Sequence, residues 1–348
     1  MDRAFSRGGA IPTYKLALIG FGNVGREFVR LLRAKQERLR ADYRIEWRLT
    51  GLASRRLGWI AEAEGLDSAA LLEGRFPDPR PGGGPQNVSE WLAAADADVL
   101  FEASSLNRHS GQPAIDHLRA ALERGAHAVS ANKGPIVHAY GELRGLAGQR
   151  GRRFLFESTV MDGAPIFSMF PRSLPAVELR GFQGILNSTT NVVLTEMEKG
   201  LTLDQAVKHA QAIGVAETDP SEDLDGWDAA VKVAALVIVL MDVPIRLEDI
   251  ERVGIRGVST EEIHAARAAG MRYKLVCRAE RTFDGVRASV RPERLSMSDS
   301  LALLEGTTSL VRFDTDVMGV SIIEHKPGVI ATAYGLLGDF IRAVSEGR

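Results

Sequence analysis

Gly20-Phe21-Gly22-Asn23-Val24-Gly25 is the feature that most narrows what this chain can fold into. It follows a short apolar run, Tyr14 to Ile19, of strand type. It opens an amphipathic stretch, Asn23 to Arg40, with Val24, Phe28, Leu31 and Leu32 on one helical face. Strand, glycine loop and helix in that order form the first unit of a parallel α/β sheet. Gly20 permits the tight turn, Gly22 lets backbone approach a pyrophosphate, and Gly25 lets the helix pack closely on the strand. The helix start at Asn23 and Val24 adds free N–H groups and a dipole that favours phosphate. The loop predicts a dinucleotide-binding unit.

The alternation continues. Ile45, Trp47 and Leu49 alternate with charged neighbours as in a half-exposed strand. Val99 to Phe101 reads as a buried strand, Ile115 to Arg124 as a helix, Ala126 to Val129 as a strand, Val137 to Gln149 as a helix, and Phe154 to Phe156 closes the series. Between them, Gly74 to Asn87 holds Pro77, Pro79, Pro81 and Pro85, which mark a surface loop. This pattern predicts an α/β fold whose N-terminal part is a Rossmann-type doubly wound sheet over residues 13–156, after a flexible N-terminus, 1–12. The pattern then changes. A strand at Val177 to Leu186 is followed by helices at Asn191–Lys199, Leu203–Ile213 and Ser221–Met241, with strand candidates at Tyr273–Ala279 and Val286–Val290. Residues 157–328 therefore predict an α+β second domain. A last helix from about Val329, within 329–348, is apolar enough to pack back onto the first. A chain of 348 residues has room for both cores.

Composition narrows the partners. A formal net charge of −2 gives no reason to expect a nucleic acid or a membrane surface. The first dozen residues lack the apolar centre of a secretion signal, and the longest apolar run, Ala229 to Met241, is too short to span a bilayer and contains Lys232. Cys277 is the single cysteine, which rules out an internal disulfide, fits a reducing cytoplasm and reads as core rather than nucleophile. The seven histidines are scattered, with no transition-metal spacing.

Cofactor choice is written at the end of the second strand. An acidic residue there would hold the ribose hydroxyls of NAD, but the sequence offers Ala53-Ser54-Arg55-Arg56. Ser54 and Arg55 suit a 2′-phosphate, which favours NADP over NAD; two arginines solvating a loop are the plainer alternative.

The most informative stretch lies in the second domain. Glu217, Asp219, Glu222, Asp223, Asp225 and Asp228 crowd the start of a helix, where the dipole favours negative charge, and Ser221 or Asp223 could cap it. Neither effect accounts for Lys232, the only charge in an otherwise apolar run. Asp228, four residues earlier, shares its face. One reading is a buried ion pair that holds the helix in register. The other is a site with a lysine of movable pKa, suited to a small substrate bearing an ammonium and an ionisable hydroxyl. Lys133, in Ser130-Ala131-Asn132-Lys133-Gly134-Pro135, stands just past a predicted parallel strand, where ligand crevices of such sheets lie.

Taken together, GFGNVG, SANKGP, FESTVMDGAPI, GILNSTTN, the Glu217–Lys232 stretch and TAYGLLGD resemble homoserine dehydrogenases, over nearly the whole chain. The resemblance implies interconversion of L-homoserine and L-aspartate 4-semialdehyde by hydride transfer with NAD(P), in threonine and methionine biosynthesis, and a homodimeric assembly. It implies that Lys232 is the acid–base residue, that Asp228 orients it and the substrate, and that Lys133 is a second lysine near the reacting carbon. Glu217 would bind the substrate ammonium with Asp223 in support, Thr189 would offer contacts to the amino acid, and Ser104, Gly214 and Gly328 would touch the cofactor. A monovalent cation (Na+ or K+) is implied at Glu157 and at carbonyls of Val160, Asp162 and Ala164. The sequence departs from the family's small residues at Met161-Asp162, at Ser188, and at Glu324-His325-Lys326-Pro327-Gly328. Those departures favour, as the nearest rival, a related dehydrogenase of another small amino or hydroxy substrate. A non-catalytic NAD(P)-binding regulator would have no need of Lys133, Asp228 and Lys232.

Overall fold

The computed structural model describes residues 10–77 and 84–345. Residues 1–9 of the expected flexible N-terminus, Pro79 and Pro81 of the expected loop, and residues 346–348 lie outside them. The first sheet comprises β1 (Thr13–Ile19), β2 (Glu46–Ser54), β3 (Gly58–Ala61), β4 (Val99–Glu102), β5 (His127–Ser130) and β6 (Phe154–Leu155). Their order is β3-β2-β1-β4-β5-β6, all parallel except β3, which folds back antiparallel on β2. The order reverses between β1 and β4. Such a switch point opens a crevice at the carboxyl ends of the strands, and the glycine loop leaves β1 there.

The sheet carries helices on both faces. Helices Val88–Ala95, Ala114–Arg124 and Gly134–Gln149 bury Trp91, Leu118 and Leu143 on one. Helix Asn23–Ala34 covers the other, together with the C-terminal helix Val329–Ser345, which buries Leu336, Leu337 and Phe340 against Leu16, Phe28 and Phe101. The chain thus leaves the first sheet after β6 and returns to it 174 residues later, at Val329.

The second sheet adds β7 (Leu179–Ile185), β8 (Glu251–Arg252), β9 (Met271–Thr282), β10 (Gly285–Ser296), β11 (Ser309–Thr315) and β12 (Gly319–Glu324). Its order is β12-β11-β7-β9-β10-β8, antiparallel but for the short β8 beside β10. Helices Ser188–Met197 and Trp227–Leu240 pack on it.

Several expected elements are redrawn. The helix read as Asn23 to Arg40 is two, Asn23–Ala34 and Gln36–Tyr43, because Lys35 leaves helical geometry. The helix read as Ser221 to Met241 is also two, Ser221–Leu224 and Trp227–Leu240, parted by Gly226 at φ +79°, a left-handed conformation natural to glycine. Strands β3, β11 and β12 and helix Val88–Ala95 carry no strong periodicity and are found only through their pairing and packing. The second half of β2 is buried on both faces, not half-exposed. Among the described residues no helix is long and apolar enough to cross a membrane.

Phe340 is fully buried between Tyr14 and Phe101, with ring centroids 6.0 and 5.9 Å away. Phe340→Ala should lower unfolding stability by about 3–5 kcal/mol in urea titration. A change within error would mean that the returning helix does not share the first core.

Candidate active site

Gly226 turns the chain so that Asp228 and Lys232 stand one helical turn apart on the same face. Lys232 Nζ donates to Asp228 Oδ2 at 2.9 Å and to the Leu186 carbonyl at 2.7 Å. From the other half of the molecule, Lys133 Nζ reaches Asp228 Oδ1 at 3.1 Å. Asn187 Nδ2 donates to Asp228 Oδ2 at 3.0 Å and to Asp223 Oδ1 at 2.6 Å. Asp228 therefore bridges two ammoniums. Burial opposes its ionisation, but the charges of Lys133 and Lys232 and the hydrogen bonds from Lys232 and Asn187 outweigh it and hold the carboxyl far below the usual range. Lys232 shows the mirror effect: burial works against the ammonium, and Asp228 overrides it and raises its pKa. Asp223 is pushed up by burial and then by the Asp228 charge.

Lys133 is held from the first sheet. Asn132 Oδ1 accepts from Gly134 N at 2.9 Å, and Asn132 Nδ2 donates to the carbonyls of Ser104 and Ser105, each at 3.3 Å. The loop after β5 is thereby tied to the loop after β4. Arg108, in that second loop, lies over the Trp227 indole at 4.7 Å and pairs with Glu222, while Arg252 covers the indole at 3.7 Å.

A cavity of about 270 Å³ opens beside Lys232, lined also by Asp162, Leu186, Ser188, Gly214, Val215, Thr307, Ser309, Glu324 and Gly328. Lysine has three N–H donors, and the two partners of Lys232 leave one for this space. Of the residues expected at the substrate, Thr189 is buried and donates to the Val215 carbonyl at 3.3 Å, and its neighbour Ser188 faces the cavity instead. Glu217 sits exposed on the loop before helix Ser221–Leu224 and is not part of the lining.

The glycine loop fits a pyrophosphate. Gly20, at φ +96°, lies so close to the next loop that a Cβ would stand 2.2 Å from the Ala103 carbonyl oxygen and 3.0 Å from Ser104 N. A Cβ on Gly25 would meet Gly20 O at 2.0 Å, whereas Gly22 faces open space. Helix Asn23–Ala34 has no side-chain cap and no acidic residue in its first turn, so its N–H groups await an anion. At the end of β2, Ser54 Oγ accepts from Leu57 N at 3.1 Å in the turn to β3, and Arg55 and Arg56 are exposed on that turn.

Glu157, expected at a monovalent cation, is held by groups of the chain itself. The Glu157 carboxylate accepts from Phe167 N at 2.6 Å, Ser168 N at 3.0 Å and Arg342 at 2.7 Å. Its charge is already neutralised by a guanidinium. Asp162 accepts from Gly328 N and from Thr332 Oγ1 at 2.9 Å, and the Ala164 carbonyl accepts from Ile166 N at 2.8 Å. The Glu157 carboxylate and the Ala164 carbonyl thus have partners within the chain, and Val160 is buried beside them. No cluster of metal-binding side chains occurs among the described residues. Cys277 is fully buried, which pushes its thiol up to about 12 and keeps it unreactive.

Sequence reasoning missed Asn187. Its signal was an Asn before Ser188-Thr189-Thr190, where its side chain caps helix Ser188–Met197 by accepting from Thr190 N at 2.9 Å. Nothing in the sequence shows that the same amide reaches two carboxylates 36 and 41 residues away.

The chain is similar to known proteins over nearly its whole length. Residues 20–157 match the sequence model described as "Homoserine dehydrogenase, NAD binding domain", and residues 165–341 match the one described as "Homoserine dehydrogenase". An NAD(+)-dependent homoserine dehydrogenase of Pseudomonas canavaninivorans is 37% identical, across 94% of this chain and 95% of its own length. The homoserine dehydrogenase of Methanocaldococcus jannaschii is 31% identical, across 94% and 97%. A hyperthermophilic archaeal homoserine dehydrogenase mutant, solved in complex with NADPH, superposes with a TM-score of 0.80 at 28% identity, across 95% of this chain and 98% of that one. The chain belongs to the homoserine dehydrogenase family.

Proposed function

We propose that this protein is a homoserine dehydrogenase that interconverts L-homoserine and L-aspartate 4-semialdehyde with NADP or NAD. The observation that carries this reading is Asp228 bridging Lys133 and Lys232 beside the cavity. The first sheet, 13–156 with the helix from Val329, serves as the cofactor half, and 157–328 as the substrate half.

In the reductive direction Lys232 enters as the ammonium. Its third N–H points at the carbonyl oxygen of the semialdehyde and polarises it, and the proton passes from Nζ to that oxygen as the alcohol forms. A nicotinamide cofactor held by the glycine loop would supply the hydride that the carbonyl carbon accepts. Asp228 keeps Lys232 charged and aimed, and Lys133 adds a second positive charge on the cofactor side. Gly20, Gly22 and Gly25, with the N–H groups from Asn23 onward, hold the pyrophosphate; Ser104, Gly214 and Gly328 border the path from that loop to the cavity. In the oxidative direction the roles reverse, and Lys232 takes the hydroxyl proton only after losing its own. The exposed apolar residues Val317, Met318 and Ile323 along the β11–β12 edge support a homodimer.

Following NADPH consumption with aspartate semialdehyde tests the reading directly, and absence of turnover with intact cofactor binding would refute it. In the same assay Lys232→Ala should fold and bind cofactor yet lose roughly two to four orders of magnitude in kcat.

Because the Lys232 pKa is raised, the amine is protonated through the neutral range. Homoserine oxidation by the wild-type protein should therefore climb with pH through the alkaline range, while reduction is already supported at neutrality. A flat oxidative profile would contradict Lys232 as the base.

NADP is proposed as the preferred cofactor because the turn after β2 carries Ser54, Arg55 and Arg56 and no carboxylate. Arg55→Ala should raise KM for NADPH about tenfold, the worth of one charge-assisted hydrogen bond, and leave NADH little changed. Equal effects on both cofactors would remove Arg55 from the 2′-phosphate site.

A further inference from the structure

Trp227 is the first residue of the helix that carries Asp228 and Lys232, and two guanidiniums cover its indole. Arg252, on β8 of the same half, stands 3.7 Å from the ring centroid and also donates to the Asp225 carbonyl. Arg108 stands at 4.7 Å and comes from the other half, from the loop between β4 and helix Ala114–Arg124. The same Arg108 pairs with Glu222 in the short helix Ser221–Leu224. It thus grips both sides of the turn at Gly226.

The loop behind Arg108 is firmly built. Asn107 Oδ1 accepts from His109 N at 3.1 Å and from Ser110 N at 3.3 Å, which closes a tight turn around Arg108. The Arg108 carbonyl meets His138 Nε2 at 2.7 Å. Towards β4, Asn132 fastens the carbonyls of Ser104 and Ser105 to the loop of Lys133, and Ser104 N lies against Gly20 of the glycine loop. Beyond the turn at Gly226, Asp223 accepts from Asn187, which also donates to Asp228. One run of contacts therefore links the glycine loop, through Arg108, to the carboxylates of the second half.

Arginine suits this place because its flat face lies on an indole while its N–H groups bond a carboxylate. Whatever orders the loop from Ser104 to Arg108 also orders the segment from Glu222 to Trp227, so the second ligand meets a site whose ordering is already complete. We propose that Arg108 is a positioning residue that couples the cofactor to the amino-acid substrate, fixing the Glu222–Trp227 turn, and with it Asp223 and Asp228, from the loop that borders the cofactor. This rests on the dehydrogenase reading above. The coupling is reciprocal, so each ligand tightens the other by the same factor.

NADPH and L-homoserine do not react with each other, so their mutual effect is read at equilibrium. NADPH is titrated by its own fluorescence, alone and with saturating homoserine. In the wild type homoserine should tighten NADPH roughly tenfold. In Arg108→Ala that factor should fall to within about twofold of unity. NADPH alone should bind as in the wild type, and thermal unfolding should be unshifted, because Arg252 still covers Trp227. If Arg108→Ala does not fold, Arg108→Lys is read in the same way, its poorer stacking giving an intermediate factor. An unchanged factor in Arg108→Ala overturns the proposal, and so does a wild type whose ligands bind independently. Weakened NADPH binding in the absence of homoserine overturns it too, since Arg108 would then be a direct cofactor contact. A wild type that binds NADPH but neither binds nor oxidises homoserine overturns the dehydrogenase reading and this assignment with it. That outcome is distinct from an active enzyme indifferent to the substitution.

Discussion

The site depends on one carboxylate held between two ammoniums. Asp228 takes Lys232 from its own helix and Lys133 from the other half, and the rest of the architecture serves that meeting. Burial alone would favour loss of the Lys232 proton and gain of one by Asp228. Together they stay charged. The arrangement also fixes geometry, since Asp228 can satisfy both lysines only when the loop after β5 and the helix Trp227–Leu240 are correctly juxtaposed. The register-holding ion pair and the catalytic lysine, alternatives in the sequence, are compatible in the structure: the same pair that locks the helix also orients the N–H that faces the cavity.

Legibility in the sequence followed the range of the interactions. The first sheet was readable because each βα unit is local: β1, its glycine loop and the first helix lie within Thr13–Ala34. Lys232 was readable because an apolar helix makes a single charge conspicuous, and Asp228 because helical spacing places it alongside. Asn187 was not, because its work is done across the sheet on residues far along the chain. The edge strand β12 was missed for a related reason. Its side chains alternate between exposed and half-buried with no apolar face to declare it, and only pairing with β11 defines it. Glu324 stands at its end, so the residue that faces the cavity from that side could be noticed as a departure but not placed.

The charge of Glu157 is met from within the chain. Glu157 keeps its position after β6, but Arg342, reaching from the C-terminal helix, supplies the positive charge, and Asp339 of the same helix accepts from Glu157 N at 2.8 Å. Burial pushes Asp339 up to about 7 even so, which marks how deeply this charged cluster is set. A guanidinium joined covalently to the fold cannot dissociate, so this corner is neutralised regardless of the salt around it.

The chain's two passages between the halves, after β6 and before the C-terminal helix, run against each other. Asp162 on the first accepts from Gly328 N and Thr332 on the second, Ser158 Oγ donates to the Thr332 carbonyl at 2.8 Å, and a Cβ on Gly163 would stand 2.5 Å from Ala331 O. Two links fastened side by side act as the spine of a book: they resist twisting and sliding of the covers and leave rotation about the seam as the easy motion. Asp162 and Gly328 belong both to this spine and to the cavity lining. The seam and the cavity lining therefore share residues. Rotation about that seam would act on the ion pair of Lys133 and Asp228, which crosses between the covers at the site.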